Sequence, residues 1–168
     1  QILGRECFKG CTSLKSLKLP DSLQVIGDRC FADFTWLESI ALPDSIQKLG
    51  DECFKGCTSL KSINLPASIQ AFGEGCFLEC TSLESVNVAD SIQALGKDCF
   101  KGCTSLKSIK LPNSLQKLES GCFGGDRIEA CEFSPTPRRH RPGCTSLKSL
   151  QLPDGIQSLG AGCFSGCT

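Results

Sequence analysis

Residues 53–74 read CFKGCTSLKSINLPASIQAFGE, and almost every other part of the chain is a variation on them. The leading Cys-Phe recurs at Cys7, Cys30, Cys53, Cys76, Cys99 and Cys122, always 23 residues apart. The next copy, Cys163, follows after 41 residues, one period of 23 plus an insertion of 18. Self-similarity in fixed register is the mark of a repeat architecture, in which no unit buries its apolar edge alone and neighbours must stack.

Within the unit, Leu-x-x-Leu-x-Leu gives a short alternating segment: Leu14, Leu17, Leu19; Leu37, Ile40, Leu42; Leu60, Ile63, Leu65. Alternation of period two predicts a strand with one buried face. Pro20, Pro43, Pro66, Pro112 and Pro153 end it, because proline cannot donate to a ladder. A second apolar pair follows (Leu23 and Ile26, Ile46 and Leu49, Ile92 and Leu95) and closes on Gly27, Gly50 or Gly96. This predicts a second extended segment ended by a glycine turn. Cys-Phe-x-Gly-Cys has room for one helical or 3-10 turn. Stacking at about 4.8 Å per coil makes ladders of like residues. Phe8, Phe31, Phe54, Phe77, Phe100, Phe123 and Phe164 form an aromatic ladder, and Gln24, Gln47, Gln70, Gln93, Gln116 and Gln157, with Gln1, an amide ladder.

Composition narrows the function. Over 168 residues the 18 basic and 18 acidic side chains cancel, which argues against a general nucleic-acid binder or a polybasic membrane-surface protein. No apolar run reaches the ~18–20 residues of a membrane span. A hydrophobic fraction of 40% is that of a folded domain.

The repeat resembles the 23-residue BspA-like leucine-rich repeat, x-F-x-G-C-x-S-L-x-x-[IL]-x-[IL]-P-x-S-[IL]-x-x-[IL]-G, over all of the chain except the insertion. The resemblance implies an α/β repeat solenoid: a right-handed leucine-rich-repeat superhelix, β-rich, with short helical or 3-10 turns and a parallel sheet on its concave side. It further implies adhesion or protein–protein interaction and no catalysis. One departure stands out: the family carries Ala before the Phe, whereas all seven copies here carry Cys. The expected organisation is a single solenoid over residues 1–168, about six and a half repeats with uncapped ends, and an inserted loop at 126–143 within the sixth.

Thirteen of the 14 cysteines fall into two ladders, Cys7/30/53/76/99/122/163 and Cys11/57/80/103/144/167, with Cys131 outside both. Disulfides within a coil, disulfides between coils and free buried thiols are the competing readings. The second repeat keeps Cys30 but puts Phe34 in place of its partner, which suits apolar filler and favours free thiols. Reduced thiols in turn favour an intracellular, reducing compartment over a secreted one. Cys122, Cys131, His140 and Cys144 form a loose candidate zinc set, C-x8-C-x8-H-x3-C.

The insertion, DRIEACEFSPTPRRHRPG, holds the only His and a basic run, Arg138, Arg139, His140 and Arg141, that is a candidate partner contact; an unselected loop is the other reading. No catalytic constellation accompanies it: the lone His has no carboxylate beside it, and no phosphate-binding glycine motif follows a strand. No cofactor is expected, and the chain is not expected to be an enzyme.

Partner contacts are expected on the concave strand positions between the buried leucines, where Lys18, Asn64, Asn87 and Lys110 stand beside a column of serines. Lys15, Glu38, Lys61, Glu84, Lys107 and Lys148 run alongside, an alternation suited to ion pairs between coils. Phe34, Trp36 (Ser in other copies) and Leu78 are the apolar irregularities and further contact candidates. The chain enters at mid-repeat and leaves just after Cys-Phe-Ser-Gly-Cys, so a segment of a longer protein is expected, its ends covered by flanking repeats or a partner. The function expected is a non-catalytic protein–protein interaction or scaffold module. An extracellular adhesin or surface antigen is the alternative, as is an accessory structural subunit of a large, membrane-bound or soluble, multi-subunit assembly.

Overall fold

The computed structural model describes residues 1–9, 11, 14, 17–125 and 142–167. Each 23-residue unit forms one coil of a parallel β-solenoid, and the two extended segments expected per unit line up in two columns. The first column is β1 (Ile2–Leu3), β2 (Val25–Ile26), β3 (Lys48–Leu49) and β5 (Ala71–Phe72), continued by β7 (Ala94–Leu95), β9 (Lys117–Leu118) and β10 (Ser158–Leu159). The second is β4 (Ser62–Asn64), β6 (Ser85–Asn87) and β8 (Ser108–Lys110). Pairing is parallel and in register with the repeat, Ile63 opposite Val86 opposite Ile109. The pattern exposed-buried-exposed in β4, β6 and β8 is the alternation read from the sequence.

Cys-Phe-x-Gly-Cys forms no helix, contrary to expectation; among the described residues there is none. Two left-handed backbone positions per coil prevent it, for example Glu52 at φ 52° and Gly56 at φ 69°. A helix needs consecutive right-handed residues. The backbone donors are also committed elsewhere: the N–H groups of Phe31, Phe54, Phe77, Phe100 and Phe123 donate to the Cys carbonyl of the following coil at 2.7–2.9 Å. The segment is therefore a third ladder. Within each coil it is folded by single turns such as Lys55 N–H to Glu52 O (3.1 Å) and Cys57 N–H to Phe54 O (3.2 Å).

The core is the predicted aromatic ladder. From Phe8 to Phe164 the rings stack at centroid separations of 5.2–5.6 Å, within 16° of parallel. The five central rings are fully buried, in one cluster with the equally buried Leu60, Leu83, Leu106, Ile26, Leu49, Leu95 and Leu118. Burying one such side chain contributes about 1.5–3 kcal/mol relative to leaving it exposed. The glutamine register works differently from the expected amide ladder. The Gln side chains are exposed, and the bonds at this register are backbone ones, Gln47 N–H to Gln24 O at 2.7 Å and Gln70 N–H to Gln47 O at 2.9 Å.

The glycines that close the second segment serve close approach rather than a left-handed turn. A Cβ on Gly50 would lie 2.5 Å from Asp28 N, and on Gly73 2.3 Å from Asp51 N. At these positions the backbone of one coil rests on the glycine of the next.

Candidate functional site

The thirteen described cysteines are all free. In the second ladder five of the six thiols have a specific acceptor: Cys57, Cys80, Cys103, Cys144 and Cys167 donate to the carbonyls of Phe31, Phe54, Phe77, Phe100 and Phe123 at 3.1–3.3 Å. The acceptor is one coil back, so these weak S–H donors tie coil to coil. Burial pushes the thiols of Cys30, Cys57 and Cys103 up to about 12. It raises Cys53, Cys76, Cys80, Cys99 and Cys122 as well. Thiols held protonated inside a core are neither nucleophiles nor ready metal ligands. The one contrasting group is Cys167, lowered to about 7 by the neighbouring Cys144 thiol, which the same contact and burial raise in turn.

Of the candidate zinc set, Cys122 and Cys144 are buried neighbours of the two ladders, while Cys131 and His140 lie outside the described residues. Among the described residues no group of three or more His, Cys, Asp or Glu side chains is placed to hold a metal. Arg138, Arg139 and Arg141 also lie outside the described residues.

A charged concavity of about 400 Å³ runs along the turn side and is lined by Asp28, Arg29, Asp51, Glu52, Glu74 and Asp98 among others. Several of its carboxylates are committed to the fold. Asp28 Oδ1 accepts the Asp51 N–H and Asp51 Oδ1 the Glu74 N–H, both at 3.0 Å, and Arg29 sits between Glu6 (3.6 Å) and Glu52 (3.5 Å).

The apolar contact candidates are corrected by burial. Phe34 is only 3% exposed: it fills the slot of the missing second-ladder cysteine and meets Phe31 edge-on at 5.8 Å and 76°. Leu78, 6% exposed, packs beneath the turn-side groove. Neither presents a surface to a partner. Trp36 is half-buried against the core, 5.2 Å from the Phe34 ring, and its indole Nε1 is buried with no acceptor among the described residues. It borders a cleft of about 410 Å³ with Leu17, Glu38 and Ser39.

The strand positions are exposed as expected. Lys18, Asn64, Asn87 and Lys110 all face solvent, as do Ser62, Ser85 and Ser108 beside them. The alternating column makes the ion pairs read from its sequence, Lys61 to Glu38 at 2.9 Å and Lys107 to Glu84 at 2.8 Å. The salt bridges hold both carboxyls below the usual range, chiefly through hydrogen bonds from the two lysines. Lys107 and Lys148 were absent from the sequence candidates because the column read as pure ion pairing, yet both are exposed on this face.

No helix of the described residues is long and apolar enough to cross a membrane. No curated protein matches the chain. Solved structures do. A leucine-rich repeat protein of T. pallidum (TpLRR) is 32% identical, with a TM-score of 0.84 over 99% of this chain and 69% of that one. A leucine-rich repeat protein of Bacteroides ovatus is 28% identical, TM-score 0.61, over 99% of this chain and 50% of its own. One from Eubacterium ventriosum, 20% identical with a TM-score of 0.68 over 96% of this chain and 39% of its own, shares the fold. The chain thus spans half or less of the last two proteins. Residues 1–129 and 142–168 match the family described as BspA type Leucine rich repeat region, in six copies, and together with the ladders this places the chain in the BspA-type leucine-rich repeat family.

Proposed function

We propose that the chain is a non-catalytic protein–protein interaction or scaffold module whose contact surface is the solvent side of the β4–β6–β8 sheet. Proteins of this repeat family generally serve protein–protein interaction or surface roles. The observation that carries the reading is the exposed, registered surface of Ser62/Asn64, Ser85/Asn87 and Ser108/Lys110. Core packing uses only the residue between each pair, so the fold leaves these side chains free to vary. A flat sheet face with small polar side chains docks a partner through shape and hydrogen bonds. Exposed Ile2 (71%) and Leu159 (51%) on the outermost strands are surfaces for flanking repeats or a partner.

A surface-antigen role is the second reading. Structural neighbours include a leucine rich cell surface protein of Faecalibacterium prausnitzii and the pneumococcal vaccine antigen PcpA, each 22% identical, a likeness that carries the fold. Crosslinking mass spectrometry on native material tests the contact surface. Crosslinks to a partner are expected at Lys61, Lys107 and Lys110. Crosslinks confined to Lys9, Lys55 and Lys101 would move the contact to the turn side and overturn the reading.

A further inference from the structure

The ion-pair column hides a second period. Coils starting at Cys7, Cys53 and Cys99 share the wording Cys-Phe-Lys-Gly-Cys-Thr-Ser-Leu-Lys-Ser, whereas those starting at Cys30 and Cys76 have Leu-Glu-Ser at its end (37–39 and 83–85). Two coils, 46 residues, are therefore the true unit, and Lys and Glu alternate because lysine coils alternate with glutamate coils. The coil starting at Cys122 should be a glutamate coil. It begins as one, with Gly124 where lysine coils have Lys, but after the insertion it resumes as Cys144-Thr-Ser-Leu-Lys148-Ser, the wording of a lysine coil.

The alternation therefore fails at one step. Lys148 stands in register with Lys107, since the hydrogen bonds on either side, Thr145 Oγ1 to Thr104 O (3.5 Å) and Gln157 N–H to Gln116 O (2.8 Å), share the same 41-residue offset. Lys61 feels carboxylates on both sides, Glu38 at 2.9 Å and the more distant Glu84. Lys107 has Glu84 on one side and a lysine on the other. Lys110, three residues further along the same coil, adds a third positive charge, and Lys107, Lys110 and Lys148 are all exposed. Over segments 107–110 and 148–151 the other surface residues are Ser108, Ser149 and Gln151, and Asp154 comes only in the turn that follows.

We propose that this end of the sheet face is a docking surface for an acidic polypeptide segment of the partner, a proposal that rests on the sheet face being the contact surface. Charge complementarity selects the occupant: among the described residues of this face three lysines share one carboxylate, Glu84, so a segment rich in Asp or Glu supplies what the column lacks. The spacings agree. Alternate side chains of an extended segment recur about every 6.6 Å and adjacent coils about every 4.8 Å, a difference that flexible lysine stems span.

Fluorescence anisotropy of a fluorescein-labelled octa-glutamate peptide, titrated with the 168-residue chain, tests it. Binding is expected at low salt, weakening steeply as salt screens the lysines. Lys148→Glu, which restores the alternation, and Lys110→Asn, which copies Asn64 and Asn87, are each expected to weaken it about fivefold or more. Lys48→Glu in β3, with the same charge change as Lys148→Glu, is expected to alter it less than about twofold. All three side chains are exposed, so unchanged thermal melts verify folding. Absence of binding, or an equal loss in Lys48→Glu, overturns the proposal. So does a heparin fragment that binds through Lys110 and Lys148 where octa-glutamate does not, since the face would then suit an anionic glycan. These outcomes leave the interaction face standing if native crosslinks still fall on Lys61 and Lys107; crosslinks confined to the turn side remove both.

Discussion

Phe77→Ala is expected to destabilise the chain by about 3–5 kcal/mol, the cost of emptying a fully buried aromatic site. The Phe77 ring lies between Phe54 (5.5 Å, 2°) and Phe100 (5.4 Å, 6°) and receives Phe72 edge-on at 6.0 Å. Its loss removes two stacked faces and one edge contact, and the cavity cannot collapse because hydrogen bonds fix the coil spacing. In a solenoid, stability is a sum of units and the interfaces between neighbours. A defect at a central coil weakens two interfaces, so Phe164→Ala, with one stacked neighbour and partial exposure, should cost markedly less. Urea denaturation of both variants measures the difference. A loss below about 1 kcal/mol for Phe77→Ala would mean that the ladder is not the core.

Gly73→Ala has the second large effect expected, about 2–4 kcal/mol, although it adds a single methyl group. The new Cβ would lie 2.3 Å from Asp51 N and 2.4 Å from Asp51 Oδ1 and Gly50 C. Two of those three atoms are backbone, so relief requires the coils to part. Parting them also weakens the bond from Glu74 N–H to Asp51 Oδ1 (3.0 Å). Gly155→Ala is the internal control, because its Cβ would come no nearer than 3.2 Å, to Asn113 O. Thermal melts should separate the two variants by several degrees. Equal melting temperatures would show that the glycine column is not in contact with the preceding coil.

These two residues also mark how far the sequence could be read. Phe77 was legible because period and hydrophobicity both point inward at that position, and the ladder followed from stacking alone. Gly73 was half legible: a glycine closing an apolar segment reads as a turn, but the contact that requires it comes from another coil. The helical turn failed for a related reason. Glu6, Arg29, Glu52 and Asp98 adopt left-handed backbone, φ 52–54°, where a sequence reader expects Gly. Gly75, Gly121 and Gly162, at φ 57°, 68° and 66°, carry that signal, and they are outnumbered.

The candidate site divides in the same way. The exposed strand positions were legible because alternation fixes which side chains point out. Phe34 and Leu78 were not, because an apolar residue that breaks a repeat looks the same whether it fills a gap or faces a partner. Phe34 fills the volume left by a cysteine, which supports treating the second cysteine ladder as packing. Lys148 was visible in the sequence as a column member, but its significance needed the register across the insertion.

The claim beneath all of this is that the cysteines are interior packing and coil-to-coil ties. Differential alkylation with mass spectrometric readout tests it most directly: iodoacetamide on the native chain without reductant, then on the denatured chain. Rapid native labelling is predicted at exposed Cys7 and Cys11, with Cys53, Cys76, Cys80, Cys99 and Cys103 protected, and labelling of all of these once denatured. Native labelling of Cys76 or Cys99 as fast as Cys7, or cysteines still blocked after denaturation, would contradict the account.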